Sequence, residues 1–164
     1  QQQGIDEQHH HGLRNRDVGA VTLGTMDGAN VEISQLAGMD NICIFGYSSE
    51  ETENFYRHGG YIATQTAAED PRLTRILNQL VDGTFSKSGM NFWGIYDAML
   101  KHNDEYFVLK DFDPYVRAFN ELTELHKDRQ NWNRISLINI ARSGYFSSDR
   151  TIKEYAEEIW QINR

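Results

Sequence analysis

The chain is poor in proline, in cysteine and in basic residues, and it has no long apolar run. Of its 164 residues two are Pro and one is Cys, and 16 Lys and Arg stand against 24 Asp and Glu, for a net charge of −8. A single cysteine, Cys43, excludes an internal disulfide framework. The acidic balance argues against a nucleic-acid partner, because phosphate binding needs clustered Lys and Arg.

Apolar residues never extend over the roughly 18 to 20 positions that a membrane-spanning helix needs, so no membrane partner is expected. The polar start of the sequence carries no secretory signal. Together with the single cysteine, these features predict a cytoplasmic protein in a reducing compartment. What the chain does contain is 39% hydrophobic and 24% charged residues, an ordinary composition for a globular domain with one core.

Residues 1–18 are predicted to form a polar tail that is either disordered or derived from an expression vector. The segment contains three glutamines, the run His9-His10-His11 and a charged run over residues 14–17, without apolar periodicity. A triple histidine can bind a metal weakly, but no cysteine or second spaced histidine completes a structural zinc pattern. We therefore predict no metal site and place the folded part at residues 19–164.

A strand–helix–strand unit is predicted at the start of the folded part. Residues 20–23 are apolar enough for a strand buried on both faces, and residues 42–45 are predicted as a second buried strand. Between them we expect a helix over residues 28–37, with Gly38 as its C-cap. This order of elements predicts a right-handed parallel crossover.

The remainder is predicted to be helical. Ser49 is expected to cap a helix over residues 50–58, and the pairs Asp70-Pro71 and Asp113-Pro114 are expected to open two more helices. Apolar residues at helical spacing define the predicted buried faces: Leu73, Ile76, Leu77, Leu80 and Val81; Phe92, Ile95, Tyr96, Met99 and Leu100; Val116, Phe119, Leu122 and Leu125; and Trp132, Ile135 and Ile138 in a helix over residues 130–143 that Gly144 ends.

Two strands do not make a stable sheet by themselves. The predicted fold class is therefore α/β and predominantly helical, with two short parallel strands and five or more helices that form part of a larger doubly wound domain. At the end of the chain, Ser147 or Ser148 is predicted to cap a last helix, with Asp149 favourable to the helix dipole. Its predicted buried face consists of Ile152, Tyr155, Ile159 and Trp160.

Two segments have sequences that are more distinctive than their predicted secondary structure requires. Residues 146–160 have the sequence Phe-Ser-Ser-Asp-Arg-Thr-Ile-Lys-Glu-Tyr-Ala-Glu-Glu-Ile-Trp, and residues 19–33 have the sequence Gly-Ala-Val-Thr-Leu-Gly-Thr-Met-Asp-Gly-Ala-Asn-Val-Glu-Ile. They resemble the C-terminal end of the α-glucan (glycogen, starch or maltodextrin) phosphorylases and the segment that follows the cofactor lysine in that family. Residues 41–46, 111–116 and 132–135 resemble the family's short strand and late helices, in the same order.

The resemblance implies the C-terminal portion of the cofactor-side domain of a GT-B type, Rossmann-like fold. It also implies the family's activity, in which phosphate cleaves the terminal α-1,4 linkage of a storage glucan and glucose 1-phosphate is released, usually by a homodimer. The family's cofactor is pyridoxal phosphate, bound as a Schiff base to a lysine, and its phosphate group relays a proton to the attacking phosphate.

The cofactor lysine of that family has no counterpart here. Counting back from Gly19 without a gap places Arg14 at the lysine position, residues 12–18 do not match the lysine motif, and the first lysine of the chain is Lys87. An arginine stays protonated and forms no Schiff base at neutral pH. We therefore expect no bound cofactor and no catalytic residue in this chain, and we expect the isolated chain to be inactive.

The turn at residues 25–30 is the remaining candidate for cofactor binding, through Asp27 and Gly28. It follows the carboxyl end of a parallel strand, where ligands collect in open α/β sheets, and it presents a helix N-terminus to an anion. The alternative is a tight turn in which Asp27 caps the helix, and the charge of Asp27 then weakens any anion site.

Other residues could take part in catalysis or binding, but each of them also has a structural explanation. We expect Cys43 to pack in the core, and we expect His58, His102 and His126 to lie near helix ends. The carboxylates at Asp104-Glu105 and Asp111 with Asp113 are either a glycosidase-like pair or loop and capping groups. An aromatic set is either core or a sugar-stacking surface: Tyr106, Phe107, Phe112, Tyr115 and Phe119.

Three functional hypotheses remain open. The chain is a fragment of an α-glucan phosphorylase, a non-catalytic helical module that binds protein or glucan, or one half of a split enzyme whose lysine lies on another chain. The expected partner is the rest of a phosphorylase chain, or a second copy through exposed apolar faces. Under the first hypothesis an α-glucan is bound only by the whole enzyme.

Overall fold

The computed structural model describes residues 19–85 and 89–161 of the chain. Two strands, β1 (Leu23–Thr25) and β2 (Cys43–Phe45), form one two-stranded parallel sheet. Between them lie helix α1 (Ala29–Ala37) and a 3₁₀ turn over Met39–Asn41. The later helices are α2 (Ser49–His58), α3 (Ala63–Glu69), α4 (Pro71–Val81), α5 (Trp93–Leu100), α6 (Phe112–Lys127), α7 (Arg129–Ser143) and α8 (Ser148–Glu154).

The predicted strand–helix–strand order and the α/β class are confirmed, with a correction to the strands. The first strand begins at Leu23 instead of residue 20, and the backbone N–H of Cys43 donates to the carbonyl of Thr22 at 2.8 Å. Both strands are half-buried, so the prediction that they are buried on both faces is wrong. A sheet of two strands leaves each strand with one unpaired edge, and the side chains there keep part of their solvent exposure.

The chain divides into two compact units, of which the first contains the described residues 19–44 and 118–161. Its buried apolar residues come from α1, from the segment before β2, and from α6 and α7: Ile33, Ala37, Ile42, Ala118 and Ile135. The side chain of Asn139, in α7, is 1% exposed and donates from Nδ2 to the carbonyl of Asn41 at 3.1 Å. A buried amide thus ties α7 to the turn that precedes β2.

The last helix of the first unit begins as predicted and packs differently. The Ser147 hydroxyl caps α8 by accepting from the backbone N–H of Asp149 at 3.3 Å. The chain then changes to a π-helical turn over Tyr155–Ile159. The predicted buried face is wrong, because its side chains are 49% to 62% exposed: Ile152 by 59%, Tyr155 by 49%, Ile159 by 62% and Trp160 by 59%. Spacing makes the face apolar, but no described element covers it.

The second unit contains the described residues 45–85 and 89–117. Its buried core consists of Tyr61, Ala63, Ala67, Leu73, Leu77, Phe107 and Leu109. Helix α2 begins with a capping box in which Ser48, not Ser49, accepts from the backbone N–H of Glu51, and the Glu51 carboxylate accepts from the N–H of Ser48. Helix α3 lies where the sequence predicted no element, because its only buried residues are the small Ala63 and Ala67 and they make a weak apolar signal.

The Asp-Pro pairs differ in what they do. Asp70 caps α4 as predicted, since its carboxylate accepts from the backbone N–H of Arg72 at 2.8 Å. Helix α6 begins at Phe112, so Asp113 lies inside the first turn and the prediction that it caps the helix is wrong. The carboxylate of Asp113 pairs instead with the guanidinium of Arg72.

Three residues of the predicted apolar faces are also exposed, namely Ile76 by 44%, Ile95 by 50% and Phe119 by 49%. In α4, the residues Leu73 and Leu77 are buried while Ile76 lies at the edge of the same stripe, where the helix surface turns toward solvent. The helix that buries Ile135 begins at Arg129 with Asp128 as N-cap and ends before Gly144, close to its predicted bounds.

Candidate functional site

The turn after β1 is held together by its own side chains. The Asn30 side-chain amide donates to the carbonyl of Thr25 at 2.9 Å, and the Thr25 hydroxyl donates to the Asp27 carboxylate at 3.0 Å. A Cβ atom on Gly24 would lie 2.6 Å from the Asn30 amide nitrogen, so any other residue there would displace the Asn30 side chain. Thr25, Asp27 and Asn30, which were predicted to lie in one turn, are therefore linked by hydrogen bonds.

Gly28, and not Asp27, is the N-cap of α1, so the prediction that Asp27 caps the helix is wrong. Gly28 has φ +47° and ψ −130°, a conformation that favours glycine, and no side chain of the described residues caps the helix. A Cβ atom on Gly28 would meet nothing within 4 Å. The start of α1 is therefore open to the close approach of another group, with the exposed Asp27 carboxylate beside it.

This turn does not offer the chemistry that pyridoxal phosphate requires. The cofactor aldehyde needs an amine, and no lysine precedes Lys87 in the sequence. The cofactor phosphate needs donors, but the backbone N–H groups of Asn30 and Val31 already donate to the carbonyls of Asp27 and Gly28. The carboxylate of Asp27 adds negative charge at the position where a phosphate would lie. The residues of the turn do not fit the cofactor by themselves.

The loop between α5 and α6 contains a site that the sequence analysis missed. The side chain of Asp104 is 1% exposed, and its Oδ2 atom accepts from the Tyr61 hydroxyl at 2.6 Å and from the backbone N–H of Leu109 at 2.7 Å. Its Oδ1 atom is buried without a hydrogen-bond partner among the described residues. Asp104 is therefore not part of a solvated polar loop, as the structural explanation had it, but organises the loop from inside.

The backbone of this loop is strained. Asn103, Asp104 and Phe107 have φ values of +60°, +45° and +58°, a region that residues with a side chain seldom adopt. Asn103 offsets part of that cost, because its Oδ1 accepts from the backbone N–H of Ala63 at 2.8 Å and its Nδ2 donates to the carbonyl of Tyr61 at 3.2 Å. Strain kept in place by such contacts marks a conformation fixed by its surroundings.

Tyr61 is the partner that makes the buried carboxylate possible. Burial raises the pKa of the Tyr61 phenol well above its ordinary value, and the hydrogen bond to Asp104 adds to the rise. The phenol therefore stays protonated and donates to the carboxylate at any physiological pH. No local sequence pattern could have predicted the hydrogen bond between Tyr61 and Asp104, since the two residues lie 43 positions apart.

The remaining carboxylates of the predicted pair have separate partners. The Asp111 carboxylate accepts from the backbone N–H of Tyr47 at 3.2 Å, and the Asp113 carboxylate binds Arg72. Glu105 is exposed. The structural explanation of Asp111 and Asp113 is thus supported by their contacts to Tyr47 and Arg72.

Histidines lie near helix ends, as predicted. His58 ends α2 with Nδ1 3.3 Å from the carbonyl of Asn54, and His126 lies in the last turn of α6 with its ring 4.8 Å from that of Trp132. His102 follows α5 and donates its backbone N–H to the carbonyl of Asp97. The run His9-His10-His11 lies outside the described residues.

Cys43 is half-buried in β2, and its thiol lies 3.7 Å from the carbonyl of Ala118. Burial raises the pKa of the Cys43 thiol, and the charge of Glu121 raises it further. A thiol that resists ionisation is a poor nucleophile and a poor metal ligand. Cys43 thus packs against the backbone of Ala118 but lies outside the buried core that was predicted for it.

The predicted aromatic set divides between core and surface. Phe107 is 5% exposed, and its ring lies 5.0 to 5.6 Å from the rings of Phe55, Tyr56 and Tyr61. Tyr106, by contrast, is 76% exposed. The core interpretation holds for Phe107 and the half-buried Phe112, whereas Tyr115 and Phe119 are 41% and 49% exposed. Among residues 19–85 and 89–161, no helix combines the length and apolar character that crossing a membrane demands.

Comparison with known proteins gives a consistent result. The family model described as carbohydrate phosphorylase matches residues 16–162. The glycogen phosphorylase of Bacillus subtilis is 45% identical over 144 residues, which cover 88% of this chain and 18% of that protein. The muscle forms of glycogen phosphorylase from Rattus norvegicus and Homo sapiens are 42% and 40% identical over 144 residues, again 88% of this chain and 17% of theirs. The chain thus spans less than a fifth of the length of these relatives.

Proposed function

Because this chain belongs to the carbohydrate phosphorylase family, we propose that it forms the C-terminal portion of the cofactor-side domain of an α-glucan phosphorylase. The whole enzyme would use phosphate to cleave terminal α-1,4 linkages and release glucose 1-phosphate from a storage glucan in the cytoplasm. The observation that carries this proposal is the family match over residues 16–162, which includes the strand–helix–strand unit and the last helix.

The part played by these 164 residues is structural in this proposal. Pyridoxal phosphate would be bound in the whole enzyme by a lysine that this sequence does not supply, since Arg14 stands at the matching position. We propose no catalytic residue in the chain, and a protein of these residues alone would not turn over a glucan. The contribution of Asp27 and Gly28 to the cofactor's surroundings stays a prediction, as does the polar tail at residues 1–18.

The exposed apolar residues of the first unit indicate where the rest of the enzyme would contact this chain. Ile152, Ile159 and Trp160, in the last helix and the π-helical turn that follows it, are 59%, 62% and 59% exposed. Exposed apolar side chains in such number favour burial against a partner. We propose that the remainder of a phosphorylase chain covers them, and that the isolated chain associates with itself at high concentration for the same reason.

Reconstitution tests the proposal. The chain would be mixed with the part of the Bacillus subtilis glycogen phosphorylase that precedes the matched 144 residues, and the matched segment of that relative would serve as the positive control. The expected result is the joint appearance of a protein-bound pyridoxal phosphate absorbance and of glucose 1-phosphate release from glycogen. Each part alone should give neither.

Three outcomes would contradict the proposal or select an alternative. Turnover of glycogen by the chain alone would contradict it outright. Activity with the control segment but not with this chain would favour a non-catalytic module. Activity only when a separately encoded partner from the same source is supplied would favour the split enzyme.

A further inference from the structure

The last helix has no buried face to fix its direction. Within residues 19–85 and 89–161, no residue is buried in α8, in the π-helical turn after it, or in the 3₁₀ turn over Gly144–Phe146 that joins α7 to α8. A helix in a folded protein usually takes its direction from the apolar face that it buries. The direction of α8 relative to α7 therefore depends on other contacts at the junction between them.

Arg150, in the first turn of α8, makes three kinds of contact across this junction. Its Nε donates to the carbonyl of Tyr145, and its Nη1 lies 2.5 Å from Oε1 of Glu154. Its guanidinium carbon lies 3.7 Å from the centre of the Tyr145 ring. Tyr145 belongs to the 3₁₀ turn, whereas Glu154 is the last residue of α8. One side chain thus connects the start and the end of α8 to the turn before it.

Two other polar contacts near the junction restrict the helix less. The Ser147 hydroxyl accepts from the backbone N–H of Asp149, which satisfies a free donor but orders only the first residues of α8. Lys153 and Glu157 form an ion pair with 3.8 Å between nitrogen and oxygen, and their side chains are 74% and 59% exposed. Exposed pairs of this kind contribute little, because solvent screens them. The side chain of Arg150 is only 33% exposed, so its contacts are screened less.

We propose that Arg150 is a positioning residue, which holds the last helix in one direction from α7 and so presents the exposed side chains of Ile152, Ile159 and Trp160 to a partner in one arrangement. A surface that is ordered before association loses less conformational entropy when the partner covers it. A lysine would not replace Arg150, because an ammonium lacks the planar fork that donates in two directions while its face lies on a ring. The identity of the partner, the remainder of a phosphorylase chain, rests on the proposed function, whereas the direction of the helix rests on the contacts of Arg150.

NMR spectroscopy of the complete chain, at a concentration where sedimentation shows a monomer, tests the contacts of Arg150. Its side-chain protons should resonate upfield of those of Arg142, an exposed arginine in the last turn of α7, because the ring of Tyr145 lies next to them. In R150K, the order parameters of the backbone amides of α8 should fall from about 0.85 to below about 0.6, while those of α7 stay unchanged. The matched control is R142K, which should leave the order parameters of both helices unchanged.

Reassembly with the preceding part of the Bacillus subtilis glycogen phosphorylase tests the consequence for the partner. R150K should weaken the association of the two parts by about tenfold, because the helix then has to be ordered on binding. The kcat of the saturated complex should stay the same, since Arg150 contacts no reacting group. The urea midpoint of the chain alone should also stay the same, because α8 buries no residue of the described chain whose packing R150K could disturb. R142K should change none of the three quantities.

Three results would overturn the role of Arg150: equal positions for the side-chain protons of Arg150 and Arg142, unchanged order parameters of α8 in R150K, or association of R150K as tight as that of the unsubstituted chain. If circular dichroism shows that R150K unfolds, Tyr145→Leu takes its place, because it removes the ring and keeps the carbonyl. If even the unsubstituted chain fails to reassemble, the proposed function is contradicted, and the NMR comparison alone then decides whether Arg150 positions the helix.

Discussion

Helix α4 and the last helix have the same kind of sequence and different surroundings. Both carry apolar residues at three-to-four-residue spacing after a marked N-cap. In α4, Leu73 and Leu77 are each 4% exposed, because α3, α5 and the loop before α6 pack around them. In the last helix, the corresponding side chains remain 49% to 62% exposed. The comparison shows that spacing predicts which side of a helix is apolar, whereas burial depends on what else the chain brings to that side.

The same contrast separates two aspartates in loops. Asp27 lies on the surface, and its carboxylate accepts a hydrogen bond from the hydroxyl of Thr25, two positions away. Asp104 lies inside the second unit and accepts from a distant tyrosine and from a backbone N–H. Burying a carboxylate is costly unless donors satisfy it. We therefore expect substitutions in the second unit's loop to have large effects on stability, and substitutions in the turn after β1 to have small ones.

The largest effect is expected for Asp104→Ala. The substitution leaves the Tyr61 hydroxyl and the Leu109 N–H without an acceptor in a buried place, and each such loss costs about 1 to 3 kcal/mol, so unfolding should require about 4 kcal/mol less. Urea unfolding followed by near-ultraviolet circular dichroism measures the change. Glu105→Ala, at the exposed neighbouring residue, is the control and should change stability by less than about 0.5 kcal/mol. Equal effects of the two substitutions would show that Asp104 is not buried in solution.

A pair of isoleucines in the first unit gives the next largest contrast. Ile135 is 2% exposed and Ile159 is 62% exposed. Ile135→Ala should reduce the free energy of unfolding by about 3 kcal/mol through the cavity that it leaves. Ile159→Ala should cost less than about 0.5 kcal/mol in the isolated chain but should lower the yield of reconstituted enzyme. If Ile159→Ala destabilises the isolated chain as strongly, the last helix is already covered there.

Tyr61→Phe should have an intermediate effect. It removes one donor from the buried carboxylate and should cost about 1.5 kcal/mol at neutral pH. Because the pKa of Tyr61 is raised in the folded chain, its contribution is complete below the ordinary phenol pKa of about 10 and is lost as the pH rises above that value. Urea midpoints between neutral pH and about pH 11 should therefore fall less steeply in the variant. Tyr106→Phe, at a residue 76% exposed, is the control and should keep the steep fall.

The smallest effect is expected at the start of α4. Since Arg72 lowers the pKa of Asp70 to about 2, the contribution of Asp70 is present above the ordinary value of about 3.9 and is lost as the pH falls from about 4 to 2. Asp70→Asn should flatten the acid limb of the stability profile over that range, while Asp40→Asn at another exposed aspartate serves as the comparison. An unchanged acid limb would mean that the Asp70–Arg72 pair does not persist in solution.

Much of the local structure could be predicted because its causes are local. The helices opened by Asp70-Pro71 and by Ser147 begin where predicted, and Gly38 and Gly144 mark the ends of two others. The strand–helix–strand unit and the family were also predicted from short segments, and both are confirmed. Errors of one residue at Ser48 and of two residues at Phe112 arose because neighbouring residues offer equivalent caps or starts.

The sequence by itself determined the family, the order of elements and the position of most helix ends, since these depend on residues within a few positions of one another. Only the tertiary structure decided that Asp104 is buried against Tyr61, that Asn139 reaches the carbonyl of Asn41 from 98 positions away, and that the apolar side of the last helix is exposed. Burial and pairing depend on which distant segments meet in space. Neither periodicity nor capping carries that information.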